Sequence, residues 1–395
     1  MKKKKKKRKQ QEQEEEEATE PASSHHRVLK FKLLDAENDA LKAPDGESKK
    51  RRKKRDEALQ VEKDCLSALP HEKKKKVKEK NDGAATSSRY TVSIAVAGSI
   101  IDNAQSFALA TRLAGQIARA AAIFTVDEIV VFDDGVEGSS NKPPKWSEDG
   151  SESCGLFLSR ILKYMETPQY LRHALIPKHN GLQFAGGLPP LDVPHQARRH
   201  EWLPYREGVK VVPPAAAGGS CVNVGLYQDV VIQQSLKPGA RVTVAMGSTR
   251  PEHGEVRVLE VVPPEEPREK AGLYWGYTVR HTSCLSAVFT NCPFMGGYDY
   301  IIGTSEHGQK IRAAEFTIPK FKHLLIVFGG VAGLEESKEL DKTIKVADVA
   351  SLFDIYLNTC PGQGSRTIRT EEAVLISLQY LQDPIMRALD LPFPP

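Results

Sequence analysis

Asn358–Ala373 reads NTCPGQGSRTIRTEEA, and the fold turns on how this stretch is placed. An apolar, strand-like run, Leu352–Leu357, precedes it, and a helix-like run, Val374–Leu381, follows. Between them lie two glycines, a proline, four hydroxyl residues and two arginines. Glycine permits left-handed backbone and close approach, while hydroxyls and free amides supply hydrogen bonds. Such a loop suits one of two roles: a surface connection ending in a helix cap, or a backbone cradle around a polar small molecule. Thr370 or Ser365 is placed to cap the coming helix, and Glu371 and Glu372 suit its first turn.

Two loops upstream favour the cradle. YDYII (298–302) reads as a strand and is followed by GTSEHG (303–308). KHLLIVF (322–328) is the next strand, followed by GGVAG (329–333). In open α/β sheets ligands sit beyond the carboxyl ends of the strands, so three such loops can converge on one ligand. No GxGxxG follows a strand and no GxxxxGK[ST] occurs, which excludes the dinucleotide fingerprint and the P-loop. His307 reads either as a base or as a solvent-exposed loop histidine.

Further upstream, YTVSIAVA (90–97) is a buried strand. Residues 104–122 form a helix with Phe107, Leu109, Leu113, Ile117 and Ala121 on one face, capped by Asp102 or Asn103. VDEIVVF (126–132) is a second strand, giving a βαβ unit and hence a parallel sheet. Arg119, on the apolar helix, needs a partner: a structural one, or a phosphate. Residues 136–151 read as a polar loop, and 157–167 as a helix.

Residues 203–282 change pattern. Short strands at 208–212, 221–224, 230–232, 241–246, 256–262 and 276–280 alternate with Pro/Gly turns, as in a small barrel of the OB type. Such barrels bind single-stranded nucleic acid through aromatics and a basic groove. Arg206, Lys210, Arg241 and Arg250 are the candidate phosphate contacts, and Tyr205 and Tyr227 the candidate stacking rings. Trp275 reads as filling the barrel core or its seam. The expected layout is a tail at 1–88, one half of an α/β domain at 89–202, the barrel at 203–282, and the second half at 283–395.

Charge separates the tail from the rest. Residues 1–88 carry 26 Lys+Arg against 18 Asp+Glu, whereas the remainder carries 30 against 33. Basic blocks at 2–9, 49–55 and 73–80 read as nuclear targeting and phosphate-binding electrostatics, in a segment too polar to build a core. No run of 18 apolar residues occurs, so no membrane span is expected. The six cysteines show no CxxC and no metal spacing, and read as reduced thiols.

Taken together, SIAVAGSIIDNAQS, AGQIARAAAIFTVDEIVVFDDG, GTSEHG, VFGGVAGLE and NTCPGQGSRTIRTEEA closely resemble the SPOUT, or α/β trefoil-knot, RNA methyltransferases, in the eukaryotic and archaeal branch that carries an OB-like insertion. The resemblance covers residues 89–383. It implies a parallel sheet whose C-terminal segment threads a deep trefoil knot, and S-adenosylmethionine bound in that knot. The contacts it implies are Thr304, Ser305, His307, Gly329, Gly330, Val331, Asn358, Thr359, Cys360, Gln363, Gly364, Ser365 and Thr367. It places the arginine of the first family motif on Arg119, with Arg366 as the other candidate for stabilising negative charge. Where many members carry asparagine, two places before Gly115, this chain has Leu113. The branch resembled implies methylation of a base, uridine N3 of large-subunit rRNA, by a nuclear or nucleolar homodimer that needs no metal. The competing expectation is a non-catalytic RNA- or protein-binding scaffold in ribosome assembly or at the mitotic spindle.

Overall fold

Seven consecutive residues, Thr91–Ala97 (β1), are buried from end to end, the pattern of a strand covered on both faces. The computed structural model describes residues 90–134, 153–199, 201–211, 219–250 and 258–391. The readings that concern the tail, the polar loop at 136–151 and parts of the barrel loops lie outside these residues.

After β1 the chain makes a 3-10 turn over Gly98–Asn103, so the first helix, Phe107–Ile123 (α1), begins later than Asp102 or Asn103 would require. Ser106 caps it instead, its hydroxyl accepting from the Leu109 N–H. The buried face of α1 runs through Ala110, Leu113, Ala114, Ile117, Ala118 and Ala121, while Leu109 stays 46% exposed. Small alanines let α1 pack closely on Cys154–Glu166 (α2). Glu128–Phe132 (β2) lies parallel to β1 between them in sequence. A short helix, Arg172–Leu175 (α3), ends this half.

The chain then builds a barrel from Tyr205–Lys210 (β3), Ser220–Asn223 (β4), Val230–Ile232 (β5), Arg241–Ala245 (β6) and Val258–Val262 (β7). The closed order is β3-β4-β5-β7-β6, with β5 and β7 parallel and the other paired strands antiparallel. Val222, Val224, Ile232, Val244 and Met246 fill it. A helix, Glu266–Ala271 (α4), leads back to the sheet. The sixth strand expected in the insertion is Thr278–Thr282 (β8), and it pairs parallel with β2 rather than closing the barrel. A short β-run declares its own conformation in sequence but not its partner.

Leu285–Thr290 (α5), Tyr300–Gln309 (β9), His323–Phe328 (β10), Gly333–Leu340 (α6), Ile355–Leu357 (β11) and Thr370–Ala388 (α7) complete the chain. The six-stranded parallel sheet runs β11-β9-β10-β1-β2-β8. GTSEHG is therefore not a loop. It is the outer half of β9, extended past the end of β10 and paired with β11 through a register shift at Tyr356 and Leu357. After β11, at the sheet edge, the chain returns so that α7 packs on α1 and β10. Neither Thr370 nor Ser365 caps α7; it starts at Thr370, and the Glu372 carboxylate accepts from the Arg369 N–H at 3.0 Å.

No helix among the described residues is long and apolar enough to cross a membrane. None of their His, Cys, Asp and Glu side chains cluster so as to hold a metal ion.

Candidate active site

β11, β9 and β10 are neighbours and parallel, so their carboxyl ends lie side by side. Three chain segments meet there around a cavity of about 280 Å³. β9 contributes Thr304, Ser305 and His307. The turn after β10 contributes Gly329, Gly330 and Val331. The opening stretch contributes Asn358, Thr359, Cys360, Gln363 and Thr367. Of the residues expected in this site, Gly364 and Ser365 stand outside the lining and are exposed.

The loops are held by their own hydrogen bonds. The Asn358 amide donates to Glu306 O at 2.8 Å, and its carbonyl oxygen accepts from the Cys360 N–H at 3.0 Å. Thr359 and Ser377 share a hydroxyl contact of 2.8 Å, tying the loop to α7. Thr370 donates to Gly329 O at 3.1 Å, tying α7 to the turn after β10. Gly330 is a close-approach position: a Cβ there would lie 2.5 Å from Asp134 Oδ2 and from Ser99 Oγ. Glu335 also faces the cavity and accepts from the Tyr356 hydroxyl at 2.9 Å.

Several lining residues escaped the sequence reading. Ala373, Ile376 and Ser377 share one face of α7, at helical spacing. An apolar helical stripe reads as core, so only the 373, 376, 377 spacing would have marked them. His307 is exposed and lies 3.7 Å from Glu306, among the lining residues rather than isolated.

The arginines divide differently from expectation. Arg119 uses Nη1 to donate to Leu191 O at 2.6 Å and Pro190 O at 3.1 Å, so it pins the irregular segment before the barrel. Arg366 is exposed on the loop. Arg206 is a correction: it is fully buried, donating to Glu201 O at 2.6 Å, Val224 O at 2.8 Å and Arg198 O at 3.2 Å. It cannot meet a phosphate at the surface. Arg241 is a second correction. It grips Glu166 with two bonds of 2.7 Å and Glu207 with a third of 2.7 Å. Its guanidinium is already matched by two carboxylates. Lys210 donates to Leu236 O at 2.5 Å, and the Tyr205 hydroxyl to Glu266 at 3.3 Å. Arg250 is exposed, and Tyr227 is 72% exposed. Trp275 sits at the seam as expected, donating to Glu207.

A family model described as "Putative RNA methyltransferase" matches residues 91–381. Over 304 residues the chain is 53% identical to the 28S rRNA (uridine-N(3))-methyltransferase of Homo sapiens, covering 76% of this chain and 80% of that protein. It is 54% identical over 298 residues to the protein of the same name from Mus musculus, covering 74% and 76% respectively. The namesake from Drosophila melanogaster is 46% identical over 305 residues, covering 74% of this chain and 62% of that protein.

Proposed function

The chain belongs to the RNA methyltransferase family whose model spans residues 91–381, and from that premise we propose that it methylates uridine N3 of large-subunit rRNA. It is an RNA-modifying transferase. The observation that carries the reading is the meeting of three strand ends around one cavity, at the edge where open α/β sheets bind ligands.

The donor we assign is S-adenosylmethionine, and the residues fit it. Hydroxyls and loop backbone suit a polar nucleoside, Phe328 and Ile376 offer apolar surface to an adenine, and Glu335 offers a carboxylate to a cation or to ribose hydroxyls. When bound, its sulfonium makes the methyl group electrophilic. The protein must then orient the uridine and accept the N3 proton. We take Asp134, two residues past β2 and against Gly330, as the acceptor of that proton. We take Arg366, exposed on the loop that supplies Gln363 and Thr367 to the cavity, as the cation for the uridine anion.

The resemblance adds a trefoil knot formed by the return of the chain from β11 through α7. It also adds an OB barrel, which the 1-2-3-5-4 order of β3 to β7 fits. We further assign a homodimer and nuclear targeting by the basic tail.

Calorimetry of S-adenosylmethionine with the full chain tests the site. Val331 lines the cavity yet is 61% exposed, so Val331→Trp fills space without disturbing the core. We expect wild type to bind, and the variant to lose binding while keeping its melting temperature. Absence of wild-type binding at millimolar donor would overturn the assignment.

A further inference from the structure

A second cleft, of about 600 Å³, lies between the irregular segment around residues 190–199 and the turn that follows β4. Gln169, Asp192, Gln196, Arg198, Arg199 and Asn223 are among its walls. Tyr227 follows Leu226 of its wall and is 72% exposed, a ring that folding leaves in water. The Arg199 guanidinium lies 4.4 Å from the centre of that ring. Arg198 and Arg199 are both exposed, and Asp192 is the single carboxylate among the lining residues.

The cleft is built rather than incidental. Arg206 is fully buried, and the partners it binds are the carbonyls of Arg198, Glu201 and Val224. Its guanidinium also lies 5.3 Å from the centre of the Tyr170 ring, and burying a cation is costly. What it secures is the position of Arg198 and Glu201 relative to Val224, three residues before Tyr227. Gly225, at φ +74, packs flat on Tyr170, where a Cβ would come within 2.4 Å of the ring. The Tyr170 hydroxyl is fixed in turn by Glu207 O at 2.9 Å. Arg119 holds the other end of the cleft through Pro190 and Leu191. The walls are thus ordered before any ligand arrives, which lowers the entropy cost of binding.

We propose that this cleft, with the Arg199–Tyr227 stack at its rim, is a subsite for an unpaired base of single-stranded RNA. It rests on the RNA methyltransferase reading for the class of its ligand. The chemistry matches that ligand: an exposed ring stacks a base, a guanidinium meets the adjoining phosphate, and the Gln169 and Asn223 side chains offer amides to a base edge. Paired bases present no free face, so the subsite selects single strands.

The test uses the full chain and fluorescence anisotropy with a labelled oligouridine, alone and annealed to oligoadenine. Tyr227→Ala weakens single-strand affinity by about 5- to 150-fold. Tyr227→Phe restores it, and duplex affinity is unchanged. Arg199→Gln lowers the slope of log affinity against log salt by about 0.7. S-adenosylmethionine affinity stays at the wild-type value in each variant. Single-strand binding by Tyr227→Ala equal to wild type overturns the proposal. The parent reading fails separately: a wild-type chain that loses RNA affinity on Tyr227→Ala yet methylates no rRNA keeps the subsite and removes the methyltransferase assignment.

Discussion

Asp134 shows how much one carboxylate is asked to do behind Gly330 of the cavity wall. Its Oδ2 accepts from the Ser99 hydroxyl at 2.5 Å, its Oδ1 accepts from the Ser99 N–H at 3.1 Å, and both groups lie against Gly330. Burial pushes its carboxyl up, against the opposing pull of the Ser99 hydrogen bonds. A carboxylate whose pKa is raised is a stronger base and a better acceptor for the N3 proton of uridine. Replacement by asparagine keeps the shape and removes the base. Asp134→Asn should lower the methyl-transfer rate by roughly 10²- to 10⁴-fold, with donor affinity unchanged. The wild-type rate should climb with pH as Asp134 loses its proton, and the variant should lack that limb. Turnover by Asp134→Asn at the wild-type rate would leave Asp134 as a partner of Ser99 and nothing more. Val331→Trp is the companion measurement, since it blocks the donor and leaves Asp134 in place.

Between elements, the decisive contact is the clamp of the barrel on the α/β half. Arg241 on β6 holds Glu166 at the end of α2 and Glu207 on β3, and His195 adds a contact of 3.1 Å to Glu166. Burial alone would raise Glu166, but hydrogen bonds from Arg241 and His195 outweigh it and hold the carboxyl at about 2. The folded value lies below the unfolded one, so the unfolded chain binds more protons between them. This stabilisation, on the order of 3 kcal/mol, is present above about pH 4.5 and is lost as pH falls toward about 2. Arg241→Ala removes the guanidinium shared by two buried carboxylates, leaving His195 on Glu166 and Thr243 and Trp275 on Glu207, and should cost ~3–5 kcal/mol in urea unfolding. A loss below about 1 kcal/mol would mean that water replaces the guanidinium there. The same clamp marks where the sequence stops being legible. Composition reveals an arginine but not whether it faces solvent, so Arg206 and Arg241 read as RNA contacts. That the segments after β10 and β11 are turns was readable because glycine and hydroxyl demands are local, whereas GTSEHG, read as a loop, is strand, and Gly364 and Ser365 stand outside the cavity. The partner of β8 was not, because pairing is decided by the remote β2.

At the scale of the molecule, the folded region carries slightly more acid than base, so it cannot gather RNA by overall charge. RNA must meet local surfaces, and the homodimer we assign multiplies them. The packed helices α1 and α7 leave Leu109 at 46% and Leu375 at 45% exposure. α7 also lends Ala373, Ile376 and Ser377 to the cavity, so a surface formed by α7 sits close to the chemistry. Burying two leucines in a symmetric seam removes apolar area from water, whereas a carboxylate in their place must be desolvated without a partner. The double variant Leu109→Glu with Leu375→Glu should therefore shift the mass by light scattering from dimer to monomer. Both positions are exposed, so the melting temperature should change little beyond the loss of association. Methyl transfer should fall with the dimer, since α7 both carries Leu375 and lines the cavity, while RNA binding at Tyr227, remote in sequence from both leucines, should persist per chain. A variant that keeps the dimer mass would move the seam elsewhere, and a wild-type chain that is monomeric at working concentration yet methylates rRNA would show that one chain suffices.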